Sequence, residues 1–173
     1  MTYSYLFVIV FPMKAIFLDI DGVLTVPSTH FKTFHPDCIK ALKHILDATG
    51  AVLVLSSCWR HGFLDWRGTE GKLVDSKDAV KVMKELLNDA GLQGERLIDK
   101  TPTLRSDIRG QEIDAWLKDT HPMSFDIKSF AILDDDSDME PHMNRLVKVN
   151  GREGLTEEDT KNCIKMLDTP LTL

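Results

Sequence analysis

Two aspartates, Asp19 and Asp21, stand two residues apart where the apolar run 15–18 ends, and Gly22 follows them. Side chains of an extended chain alternate with a period of two, so the two carboxylates point the same way. Their repulsion calls for a cation, and Mg²⁺, which takes carboxylates plus waters, is the expected one. A second acidic cluster, Asp134, Asp135 and Asp136, closes the apolar run 129–133. One acidic strand end reads most simply as a solvated turn. Two of them in one domain predict an oxygen-only metal site drawn from Asp19, Asp21, Asp134 and Asp135, with positions left open for a phosphate.

These side chains need elements that bring them together. Short apolar runs bounded by turn residues predict buried strands at 15–18, 51–55, 96–98, 129–133 and 146–149. Apolar residues at helical spacing predict helices at 37–48, 76–90 and 110–119, and a last helix capped by Thr156 with Glu157, Glu158 and Asp159 in its first turn. The stretches 25–36 and 59–73 read as loop. Alternating strands and helices with continuously apolar strands predict a Rossmann-like α/β fold, a parallel sheet with helices on both faces. Ligands then bind beyond the carboxyl ends of the strands. That edge collects Asp19/Asp21, Ser56/Ser57 and Asp134/Asp135.

The chain has 173 residues, 43% hydrophobic and 28% charged, which matches one domain of roughly 150 residues. The net charge of −6 argues against stable duplex DNA binding. Cys38, Cys58 and Cys163 form neither a disulfide framework nor a zinc motif, and a reducing cytoplasm is expected. The apolar run 6–11 is far short of the ~20 residues of a membrane span. Residues 1–12 read as an extension, either an extra edge strand or sequence ahead of a true start at Met13, and 13–173 as a single domain.

The string 19–25, DIDGVLT, matches at every position the first motif D-x-D-G-[VT]-[LV]-[TVI] of the haloacid dehalogenase-like superfamily, which the chain resembles. Its second motif, an apolar strand ending in Ser or Thr, is met by 52–56, and its paired-Asp motif by 132–135, with Asp138 beyond. The strings 109–113 with Trp116 and Leu117, and 56–60, resemble phosphatase domains of nucleic-acid end-repair proteins. The resemblance implies an aspartyl-phosphate phosphatase. Asp19 would be the nucleophile, Asp21 the general acid and base, and Ser56 a phosphate-oxygen ligand. Asp135, with Asp134 close behind, would bind Mg²⁺ directly. The activating cation would be Arg109, Lys100 or Arg105, and Gly22, Ser57 and Arg60 would bind substrate. Among the tryptophans, Trp59 and Trp66 offer rings to a base, whereas Trp116 reads as core. Cys58, with no His near in sequence, is a weak nucleophile candidate. No insertion is long enough for a cap domain, which favours a nucleotide or oligonucleotide phosphate. A small-metabolite phosphatase and a receiver-like or non-catalytic phosphate-binding domain are the alternatives.

Overall fold

A computed structural model describes residues 12–68, 70–120 and 126–171. Along the chain the elements are β1 (Pro12–Leu18), α1 (Pro36–Thr49), β2 (Val52–Leu55), β3 (Gly62–Asp65), β4 (Lys72–Asp75), α2 (Ala79–Asp89), β5 (Leu97–Lys100), α3 (Arg109–Thr120), β6 (Asp126–Asp134), β7 (Leu146–Lys148) and α4 (Glu157–Leu167). Five strands form one sheet in the order β5-β2-β1-β6-β7, every neighbouring pair parallel. The carboxyl-terminal halves of the central strands, 15–18 of β1, 52–55 of β2 and 130–133 of β6, are continuously apolar because both faces are covered. Along β1, Ile16 and Leu18 pack with α1, α2 and α4 in the larger core. Ala15 and Phe17 face the other way, with Ile113 and Trp116 of α3. Phe17 meets the Trp116 and Phe130 rings edge-on at 5.4 and 5.5 Å.

The helices start where the sequence supplies caps. His35 Nδ1 accepts from the Asp37 amide ahead of α1, and Gly50 in the left-handed region ends that helix. Thr156 and Asp159 form a reciprocal capping box at α4. The helix expected from residue 76 begins instead at Ala79, because 76–78 form a turn whose Ser76 carbonyl accepts from Lys100.

The stretch 59–73, expected to be irregular, is corrected. It holds a short 3₁₀ turn (Cys58–His61) and most of an antiparallel ribbon of β3 and β4. Phe63 and Val74, opposite each other, face the core, while Leu64 and Leu73 face outward at 44% and 70% exposure. No large cap exists: β1 and α1 are joined by a compact loop, and only residues 121–125 separate α3 from β6. The run 6–11 lies outside the described residues. No helix among them is long and apolar enough to cross a membrane.

Candidate active site at the carboxyl edge of the sheet

Parallel pairing sets the frame. The Asp19 amide donates to the Leu133 carbonyl at 3.0 Å, and the Ser56 amide to the Leu18 carbonyl at 2.9 Å. Residues 19, 56 and 134 are thereby brought to adjacent positions at one edge. Carboxylate oxygens of Asp19, Asp134 and Asp135 lie within 4.8 Å of one another, the first two buried and the third half-buried. No histidine or cysteine joins them among the described residues.

Arg109, at the start of α3, reaches into this cluster. Its guanidinium contacts Asp19 Oδ2 at 2.9 Å and also pairs with Asp134 Oδ2. Burial pulls the Arg109 pKa down, but the charges of Asp134 and Asp19 outweigh it and hold the group above its ordinary value. Burial, then the charge of Asp19, push the Asp134 carboxyl up to about 7, against the opposing pull of Arg109. Asp135 is raised for the same first two reasons. With all three carboxylates ionised, one guanidinium leaves two negative charges uncompensated. An all-oxygen donor set with that deficit suits a divalent hard cation such as Mg²⁺.

The start of α3 is itself seated. Asp138 accepts from the Arg109 amide at 3.1 Å through its carboxylate and from the Gly110 amide at 3.0 Å through its carbonyl. A Cβ on Gly110 would collide with the Met139 and Glu140 backbone, so α3 sits directly on that loop. Of the three candidate cations, this leaves Arg109 at the acids. Lys100 is turned away, donating to the Arg60 and Ser76 carbonyls at 3.0 and 2.6 Å, and Arg105 is exposed in the preceding loop.

Ser56 Oγ is fully buried beside Asp19 and, among the described residues, has no hydrogen-bond partner. A buried hydroxyl left unsatisfied is costly, and a ligand oxygen at this edge would satisfy it.

Other expectations need correction. Asp21 does not share the cluster. Its carboxylate accepts from Thr25 Oγ1 at 2.7 Å and Trp59 Nε1 at 2.8 Å, because residues 20–25 form a turn closed on the Ile20 carbonyl and no longer follow strand alternation. Trp59, stacked on Phe63 at 4.6 Å, thus orients a carboxylate. Gly22 offers no free amide, since that group donates to the Thr25 carbonyl at 2.8 Å. It adopts φ 77° and lies against the Asp135 carboxylate, where a Cβ would collide. The Ser57 hydroxyl caps the 3₁₀ turn by accepting from the Trp59 amide at 3.3 Å. Arg60 does not face solvent. It is 4% exposed, donates to the Ser57 carbonyl at 2.9 Å and forms a buried ion pair with Glu112 of α3. Glu112 also accepts from the Leu104 amide at 3.0 Å. The Cys58 thiol is raised by burial and by the nearby Asp21 and Asp19 charges, which disfavours the thiolate a nucleophile needs. Trp66 lies under the Lys32 ammonium at 4.3 Å, and the Trp116 indole donates to Asp99 at 2.8 Å within the core.

Sequence reasoning misses Glu112 and Gly151. Glu112 sits one helical turn after Arg109, a spacing that could have linked the two. Gly151 carries no sequence signal, because its part depends on what its absent side chain would strike: Asp135.

A family model described as the HAD domain in Swiss Army Knife RNA repair proteins matches residues 15–160. No curated protein matches the chain, and no solved structure does.

Proposed function

The chain belongs to the family of HAD domains in Swiss Army Knife RNA repair proteins, and from that premise we propose a Mg²⁺-dependent phosphomonoesterase that works through an aspartyl-phosphate on Asp19. Its substrate is a terminal phosphate of a nucleotide or nucleic acid. The observation that carries this reading is the buried, unpartnered Ser56 hydroxyl beside Asp19, Asp134, Asp135 and Arg109. A nucleophile, a cation and a hydroxyl in want of an oxygen partner meet at one edge.

Asp19, Asp134 and Asp135 would hold Mg²⁺, with the Asp21 carbonyl as a further ligand. Mg²⁺ would supply charge neutralisation for an anionic phosphate facing a carboxylate nucleophile. An Asp19 oxygen attacks phosphorus, and the bond to the leaving oxygen breaks. Asp21 gives that oxygen its proton, then takes a proton from the water that cleaves the acyl phosphate and frees Asp19. Two smaller barriers replace one large one. Arg109 neutralises charge on the transferring group and on Asp19, and Ser56 donates to a phosphate oxygen.

Without a large cap, the site depends on its substrate to exclude water, which favours a large phosphorylated molecule over a compact metabolite. The net charge of −6 favours a strand end over stable duplex binding. Free Cys38, Cys58 and Cys163 fit a reducing cytoplasm. The test is hydrolysis of p-nitrophenyl phosphate and of 3′- and 5′-phosphorylated oligonucleotides, with and without Mg²⁺. Turnover dependent on Mg²⁺, with kcat/KM highest on an oligonucleotide, supports the reading. Full activity after EDTA overturns the metal assignment, and preference for a compact sugar phosphate overturns the substrate class.

A further inference from the structure

We propose that Gly151, in the loop after β7, is a positioning residue for Asp135 and thereby sets the affinity of the site for Mg²⁺. The inference rests on the reading of the acid cluster as a Mg²⁺ site. A Cβ placed on Gly151 would strike Asp135 Oδ2 first, and would then lie 3.1 Å from its Cγ and 3.3 Å from its Cβ. The nearest neighbours of that Cβ all belong to Asp135. A Cβ on Gly22 would likewise strike Asp135 Oδ2 first, then the carboxyl carbon and Oδ1 of the same group. The Asp135 carboxylate therefore lies against two stretches of bare backbone, drawn from loops far apart in the chain.

Both loops are braced by backbone hydrogen bonds and joined to each other. The Arg152 amide donates to Asn150 Oδ1 at 3.1 Å, and the Glu153 and Gly154 amides to the Asn150 carbonyl, each at 2.9 Å. The Leu155 amide donates to the Val23 carbonyl at 2.9 Å, joining this loop to the 20–25 turn. Among the described residues, no other residue donates a hydrogen bond to the Asp135 carboxylate, so its aim is set by the walls. With the loop braced in this way, a side chain at 151 is accommodated most cheaply by rotation of Asp135.

Gly151 is also the cleaner of the two positions to test. Gly22 has φ 77°, where any side chain is strained. Gly151 is not in the left-handed region, so alanine suits its backbone. The Asp135 carboxylate is the far end of a rotatable side chain and can swing aside at little cost to the fold.

Gly151→Ala should thus fold normally yet bind Mg²⁺ less tightly, by about 10- to 100-fold, as for other groups that orient metal ligands. The experiment is calorimetric titration of the full chain with Mg²⁺, alongside thermal unfolding without metal and turnover of p-nitrophenyl phosphate across Mg²⁺ concentrations. Support is an unchanged metal-free Tm, a weakened Mg²⁺ Kd and a kcat that recovers at saturating Mg²⁺. An unchanged Kd overturns the proposal. So does loss of the cooperative unfolding transition, which would make Gly151 a requirement of the fold itself. If the wild-type protein binds no Mg²⁺, the metal reading fails first, a result distinct from a wild type that binds and a variant that binds equally well.

Discussion

Asp134 and Asp135 are neighbours in the chain, yet the molecule holds them by opposite means. Asp134 is buried and gripped by polar groups: Arg109 pairs with one oxygen, and the Asp136 amide donates to the other at 2.9 Å. Asp135 is half-buried, and two glycines wall it in. The first arrangement makes a carboxylate depend on one guanidinium, because an unpaired charge in that place is expensive. The second fixes direction with no charge at all. A metal site needs both kinds of support. Attraction alone would let a guanidinium neutralise every acid, and walls alone would not keep a buried carboxylate ionised.

Asp19 pairs with Arg109 and shares the cluster with both aspartates, so the largest effect should come from that residue. Asp19→Asn should keep the fold and lower turnover of p-nitrophenyl phosphate by on the order of 10⁴-fold or more, as for other nucleophile deletions. Residual activity near wild type would remove the reason for comparing its two flanks.

The next test sets the flanks against each other. Arg109→Ala strands buried Asp134 and should cost about 3–5 kcal/mol of metal-free stability, partly restored by Mg²⁺. Asp135→Ala removes a carboxylate that pairs with no cation among the described residues and should leave metal-free stability within about 0.5 kcal/mol, while abolishing Mg²⁺-induced stabilisation. Chemical denaturation with and without Mg²⁺ reads both. Equal losses in the two variants would break the distinction.

The Arg60–Glu112 pair extends the charge-held side, since it ties the turn after Ser56 to the helix that carries Arg109. Arg60→Met should destabilise by about 3 kcal/mol, and adding Glu112→Leu should recover most of that loss. Recovered Tm with kcat still depressed would show the pair aligning the two elements. Full recovery of both would reduce it to packing. The smallest effect belongs to Trp59→Phe, which removes one donor from the Asp21 carboxylate, a bond worth about 1.5–3 kcal/mol. It should lower kcat roughly tenfold with the Mg²⁺ Kd unchanged, because Trp59 touches neither flank.

The same contrast explains what is legible in the order of the amino acids. β1, β2 and β6 stand out as apolar runs because both of their faces are covered, and an acidic residue at the end of such a run is conspicuous. Asp19, Asp134 and Asp135 can therefore be picked out from residue order alone. The β3–β4 ribbon cannot, since Leu64 and Leu73 face outward beside the inward Phe63 and Val74, which erases the alternation that marks a half-buried strand. Arg60 declares its charge but not its partner, which lies 52 positions away. Strand alternation misplaces Asp21, because that residue lies one step past the point where the strand gives way to a turn. Glycine walls leave least trace of all: nothing near residue 151 announces that its backbone lies against the aspartate that follows β6.

The hydrogen bond from Leu155 to Val23 also has a bearing on biosynthesis. A chain growing on the ribosome exposes residues 19–25 early, and Asp134 and Asp135 long after. Until residue 155 has emerged, the 20–25 turn lacks the hydrogen bond from Leu155, and the loop that carries Gly151 is not tied to it. A nascent chain halted short of that point would carry every acid of the cluster, yet lack the closure that aims one of them. The loop that carries Gly151 is thus joined to the 20–25 turn late in synthesis, after most of the sheet can already have formed, as expected of a contact with long sequence separation.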